Sequence, residues 1–439
     1  MTDRKLSLSA AIFININIML GTGFFINTAL LTKEAGSLGS SVYLIVAVLL
    51  LPLIMSMAHL LEHNPTSGTL YDFGRYISPF FGFISSWSYF TAKLCSAGLG
   101  IHVCLSFLQK ILPVLQTVPL LALDISAIIL FTGLNLLNLH VGKQIQISFI
   151  IMKIIPIVFV ICSGLYLFNG VHFSSDTLLW TGIPVTVPLV LYVFSGFEAS
   201  CSLSTQIENP KKNGPRAIYI SYAICVAIVF LYQFFFYGSL GMYLGRLAGG
   251  YLDIFPALLN KLGGNAALWK NTLQTIFHLG IASSSLGSAY GIMFSNSWNL
   301  FTLAKNNHVF ANRLFTSLNR HSVPFACIIA EGILAITYLL ITQGQQVPLQ
   351  QVGSLGATIG YTFSIIAYFM LCYRENFSLR LPLLALTSCA LLLSSYIWTV
   401  SVQGPSSVLL VFISLLIFGS FMFYYKHEPQ TPLEVFEEI

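Results

Sequence analysis

The chain has 439 residues, of which 56 % are hydrophobic and 8 % charged. A soluble globular chain carries about 25 % charged residues, so the composition excludes a water-soluble fold and leaves an all-α polytopic membrane protein. The formal net charge of +5 is scattered between apolar segments with no continuous basic run, which argues for membrane topology and against a nucleic-acid partner.

Crossing a bilayer takes roughly 20 apolar residues. On that measure twelve transmembrane helices are expected, near 8–31, 38–61, 80–111, 119–139, 145–168, 179–205, 217–244, 272–304, 324–342, 349–373, 381–400 and 406–425. Residues 1–6 lack the layout of a cleaved leader, so the first span is expected to remain. With the amino terminus inside, thirteen Lys and Arg fall on the inner side and five on the outer side. That satisfies the positive-inside rule and makes both termini cytoplasmic in a multi-pass cell-membrane protein, a bacterial inner membrane being the expected setting. The long outer connection 245–271 is expected to lie on the surface as a short helix or lid. The acidic, Pro-containing tail 426–439 reads as a flexible cytosolic end. A single transmembrane domain, 1–425, accounts for the rest.

The first span is interrupted. In Ile16–Ile26, Gly21-Thr22-Gly23 breaks a run otherwise suited to a continuous helix. Glycine costs about 1 kcal/mol relative to alanine inside a helix, and at membrane depth freed backbone groups are tolerated only against protein or a water-lined cavity. The sixth span repeats the device, with Ser195-Gly196 interrupting it and Glu198 two residues on. Breaks five spans apart put the two halves in opposite orientations, the pattern of an inverted repeat whose discontinuous helices meet near the midplane. The repeats would cover about 8–168 and 179–373, with additional helices over 381–425. Half-helix N-termini offer N–H groups to an anion, and unwound carbonyls offer acceptors to an ammonium. A site with both suits a zwitterion such as an α-amino acid. The competing reading is that the glycines only allow close helix packing.

Two lysines lie within spans. Lys153 sits mid-span in the fifth, and Lys93 is about halfway along the third, one turn after Tyr89. A charge at that depth costs at least roughly 2.5–3.5 kcal/mol unless paired, neutralised or facing water. The eight cysteines show no C-x-x-C spacing and read as free thiols packed in the bundle, and the histidines show no H-E-x-x-H. No P-loop occurs. No cofactor, no metal and no enzymatic constellation is expected.

Four motifs in order resemble the amino acid–polyamine–organocation superfamily. They are Gly21-Thr22-Gly23-Phe24-Phe25, the stretch His59–Tyr71 with its Pro65-Thr66-Ser67-Gly68, the Ser195-Gly196-Phe197-Glu198 break, and the loop Glu208-Asn209-Pro210-Lys211-Lys212 to Ile218. Length, span count and the opening motif are most similar to the bacterial arginine/agmatine antiporter type. The resemblance implies the leucine-transporter-like 5+5 inverted repeat with broken helices 1 and 6. It also implies a secondary transporter of amino acids or related amines working by alternating access, as exchanger or proton symporter and without sodium.

By that resemblance Gly21, Thr22 and Gly23 hold the substrate carboxylate, while carbonyls around Met19 and from Phe194 through Ser195 to Gly196 take the amino group. Tyr192 stands where an aromatic stacks over substrate, and Glu198 looks like a gating or proton-sensing carboxylate. Lys93, with Tyr89 a turn away, falls at the side-chain end of the pocket, where it would favour a neutral or acidic side chain. The eighth span has no tryptophan at the position those antiporters use, which makes Tyr290 or Met293 the nearest candidate. Lys153 is placed where sodium sits in sodium-coupled relatives; it either replaces that ion and couples transport to protons, or is a structural lysine bonded to first- and eighth-span carbonyls. A cationic amino acid/polyamine antiporter and a non-transporting sensor with the same fold are the alternatives. The expected partners are a small amino acid or amine, protons and the lipid bilayer, with the protein a monomer or homodimer.

Overall fold

A computed structural model of the chain describes residues 6–63, 69–137, 140–202, 204, 207–263 and 266–427. The Pro65–Gly68 segment of the second motif and the tail beyond His427 lie outside them.

Helices occupy every expected span. The first is split into Leu8–Met19 and Thr22–Ala35, followed by Gly39–His63, Pro79–Ile111, Leu120–Asn135 and His140–Leu167. The sixth is split into Ile183–Phe194 and Ala199–Ser202, followed by Pro210–Leu240, Ala266–Lys305, Phe325–Thr342 and Gln346–Arg374. Arg380–Gln403 and Ser407–Lys426 complete the set. Among the described residues, eight helices are each long and apolar enough to cross a bilayer, and the two halves of the first span, bent by 40°, make a ninth when counted as one. The fourth is only 16 residues long. The eighth is 40 residues long and turns its polar residues inward: Ser284, Ser285, Ser288 and Asn296 are all buried.

Local sequence fixes the helix starts. Ser78 and Ser406 accept hydrogen bonds from backbone N–H groups three residues on, and Pro79 and Pro210 open their helices, where the missing N–H has no partner to lose.

Packing carries the inverted repeat. Span five packs against spans one, seven and eight; span ten packs against spans six, two and three. Exchanging spans one to five with six to ten converts the first set into the second. The same exchange maps the contact of spans three and four onto that of eight and nine, and the contact of three and nine onto that of eight and four. Spans three and eight, which pack on each other at the centre, swap places. Spans eleven and twelve stand outside this symmetry, against spans two and ten and against three and ten.

The long connection after span seven forms a helix, Ile254–Leu262, with Ile254, Phe255 and Leu258 fully buried. Phe255 packs between Phe236 and Phe277 with ring centroids 5.5 and 5.0 Å away, so the segment caps one end of the bundle. All eight cysteines are free and seven are buried. Cys162 differs from the expectation: it is exposed on span five, because a helix at the rim of the bundle turns part of its surface outward.

Candidate functional site

The two breaks meet at the centre. The first half-helix ends at Met19, and Leu20 and Gly21 are non-helical before the second half begins at Thr22 with no side-chain cap on its N-terminus. The leading N–H groups of that second half are therefore open to an anionic partner, with the positive end of the helix dipole behind them. In the sixth span the helix stops at Phe194 and Gly196 adopts φ +137°, a left-handed conformation that L side chains rarely take. A Cβ there would lie 2.6 Å from Ile18 Cγ2. Glycine is what lets the second break press against the first.

A small cavity opens between them, lined by Met19, Gly21, Thr22 and Gly23 from span one and by Tyr192 and Ser195 from span six. Span three contributes Lys93 and Ser96, and span eight contributes Ser288 and Ile292. Its volume is about 20 Å³, on a measure where one water needs roughly 10–15 Å³. The arrangement is contracted, and an amino acid enters only if a wall moves. Tyr192 is one close wall: a Cβ on Gly23 would lie 2.7 Å from its Cδ1.

Span three measures the distance between the two ends. A Cβ on Gly100 would lie 3.3 Å from Thr22 Oγ1, which fixes that residue beside the first break. Lys93, seven residues earlier and so about 10 Å along the helix, reaches the second break. Its Nζ donates to Ser195 Oγ at 3.3 Å and to Glu198 Oε1 at 3.2 Å. Tyr89 donates its hydroxyl to the same Glu198 oxygen at 2.7 Å, and Gly196 N–H donates to Glu198 Oε2 at 2.7 Å. The Lys93 ammonium also stands 5.1 Å from the Tyr89 ring centroid. Both charged side chains are almost completely buried. Of the ways a lysine at this depth is accommodated, Lys93 takes pairing, with Glu198. In a low-dielectric interior an unpaired ammonium is costly, and Glu198 supplies the counter-charge.

Lys153 is likewise buried. Its Nζ donates to Asn17 O at 3.0 Å, Asn17 Oδ1 at 2.6 Å and Leu20 O at 2.7 Å. The ammonium sits at the C-terminal end of the first half-helix, where orphan carbonyls and the negative end of the dipole favour a cation. The eighth span contributes no carbonyl to this lysine among the described hydrogen bonds; Ser284 instead donates its hydroxyl to Leu20 O at 2.9 Å.

The other expected residues divide. Tyr89 and Gly196 stand behind the cavity wall, through Glu198. The Phe194 ring points away, between Tyr43 and Tyr222 at 6.1 and 5.5 Å, leaving only its backbone near the break. Tyr290 faces Phe131 of span four at 6.0 Å, and Ser288 and Ile292, four residues apart on another face, line the cavity instead. Met293 is fully buried and is not among the lining residues. Sequence reasoning missed Asn17, Ser284, Ser288 and Ser96. An asparagine pair, Asn15 and Asn17, inside an apolar first span was the available signal, since polar groups at that depth are costly without a task.

A family model described as amino acid permease matches residues 6–425. The aromatic amino acid transport protein AroP of Escherichia coli K12 is 22 % identical over 343 residues, covering 73 % of this chain and 70 % of that protein. The D-serine/D-alanine/glycine transporter of Escherichia coli is 24 % identical over 362 residues, covering 77 % of this chain and 73 % of that protein.

Proposed function

The chain belongs to the amino acid permease family of the amino acid–polyamine–organocation superfamily and transports amino acids across a membrane, and from that premise we propose that it does so by sodium-independent alternating access. It is a transporter and not an enzyme. The observation that carries the proposal is Lys153, whose ammonium is held by Asn17 and Leu20. A fixed monovalent cation at the end of the first half-helix does for the break what a sodium ion would do, and the chain brings its own.

The solute's carboxylate is assigned to the uncapped N-terminus at Thr22 and Gly23, and its amino group to carbonyls at Met19 and Ser195. Spans 1, 2, 6 and 7 rock against 3, 4, 8 and 9 around that contact. Coupling runs either by exchange or by protons, with Lys153 as the titrating candidate. The excess of Lys and Arg on one side supports cytoplasmic termini in a cell membrane, with a bacterial inner membrane the expected setting. The finer likeness to arginine/agmatine antiporters supports exchange, but arginine as solute is disfavoured by the ion pair at the second break.

Counterflow into liposomes, with sodium replaced by choline, tests the reading. Equal initial rates are expected in the two media, and an absolute need for sodium would overturn it. Binding of an amino acid without counterflow in either medium would identify a sensor.

A further inference from the structure

We propose that the Lys93–Glu198 ion pair is the charge filter of the cavity, confining the protein to solutes whose side chains are uncharged. The inference rests on the reading that the cavity between the two breaks is the solute site.

The geometry separates two tasks. The first break, together with the Ser195 carbonyl, faces the backbone charges of a solute. About 10 Å along span three, the cavity ends on Lys93 and Ser195, with Glu198 behind them. Each charge of that wall is committed. The ammonium has Glu198 Oε1, Ser195 Oγ and the face of Tyr89; the carboxylate has Lys93, the Tyr89 hydroxyl and Gly196 N–H. The wall is polar but sums to zero. A solute arriving with a carboxylate or an ammonium on its side chain has to shed water and finds both counter-charges already taken. Rejection of that kind is negative selection, written into the wall and independent of how well the correct solute fits. Ser96, between Gly100 and Lys93 on span three, lines the same cavity. Glu198 acts here through Lys93, as a positioning residue; Lys93 is the one that lines the cavity.

The filter makes a two-way test. Removing the ammonium by Lys93→Ala strands the Glu198 carboxylate and opens room in front of it, so lysine and arginine should gain. Removing the carboxylate by Glu198→Gln strands the ammonium, so glutamate should gain. The double variant Lys93→Ala/Glu198→Gln should return to neutral solutes. Competition against a transported neutral amino acid in proteoliposomes reads all three, with glutamine against glutamate and methionine against lysine as matched pairs. The expected change is roughly tenfold or more in the charged-to-neutral ratio, in opposite directions for the two single variants. The parent protein already tests the filter without any substitution. It should prefer the neutral member of both pairs by roughly tenfold, and a parent that prefers either charged member overturns the proposal even if every variant fails to fold. Single variants that transport with the parent's charge ranking overturn it too. A parent that transports neutral amino acids competitively but loses no selectivity in Lys93→Ala leaves the solute site in place and removes the filter alone. A parent whose transport is untouched by changes at Gly23 and Tyr192 removes the site reading itself.

Discussion

Lys153 Nζ lies 2.7 Å from the carbonyl oxygen of Leu20, the residue at which the first span stops being helical. One side chain from the opposite end of the same repeat therefore closes the break that the sequence opens. Lys153→Met removes the donor from Asn17 O and Asn17 Oδ1 and leaves Leu20 O with only the Ser284 hydroxyl. The expected cost is roughly 1–3 kcal/mol for each buried oxygen left without a donor, seen as a lowered unfolding temperature of the purified protein, and transport should fall at least about tenfold. A Lys153→Met protein with parental stability and parental uptake would show that the ammonium does not hold the break.

Two glycines set how closely the breaks approach. Gly196→Ala forces a side chain onto φ +137° and into Ile18, with an expected destabilisation of about 1–3 kcal/mol. Gly23→Ala has ordinary backbone geometry but meets Tyr192 at 2.7 Å. That change should weaken solute affinity more than it lowers thermal stability, and adding Tyr192→Leu should restore part of the affinity. Equilibrium binding and melting curves on the same preparations separate the two effects.

Beyond the spans, His308 in the connection after span eight shares a hydrogen bond with the Tyr71 hydroxyl at 2.8 Å, and its ring lies tilted 5.0 Å from that of His427. Burial, aided by His427, Arg75 and Lys426, pushes its pKa down to about 4, while in the unfolded chain it titrates near its ordinary value of about 6.5. The folded form thus holds a neutral ring that the unfolded form would protonate. Stability from this group is full above about pH 6.5 and is lost as pH falls toward 4. Melting temperatures measured from pH 7 to pH 5 should drop in the parent and drop less in His308→Gln. Parallel curves for the two proteins would remove His308 from the pH response.

How much of this was legible in the sequence depends on the length scale. Span number and both breaks followed from runs of apolar residues interrupted by glycine, because the bilayer imposes length and glycine imposes weakness. Lys93, Lys153 and Glu198 stood out because charge is rare at that depth. Their partners did not. Glu198 is 105 positions from Lys93, and no local pattern joins spans three and six. Tyr290 and Met293 stand nearest the position where the resembling antiporters carry a tryptophan, and that likeness points past Ser288. In a helix enclosed on nearly all sides, hydrophobic periodicity does not mark the face that meets a cavity, whereas the serines at 284 and 288, four residues apart, do.

The central claim is that both backbone charges of an amino acid are held where the breaks meet, the carboxylate at Thr22 and Gly23 and the amino group at the carbonyls of Met19 and Ser195. Thermal stabilisation of the purified protein by a transported neutral amino acid, compared with its decarboxylated amine and its deaminated acid, measures this directly, since a specific ligand stabilises the folded form once its concentration exceeds Kd. The zwitterion is expected to stabilise and both half-analogues to fail at roughly 100-fold higher concentration. An amine that stabilises as well as the amino acid would contradict a carboxylate site at Gly21-Thr22-Gly23.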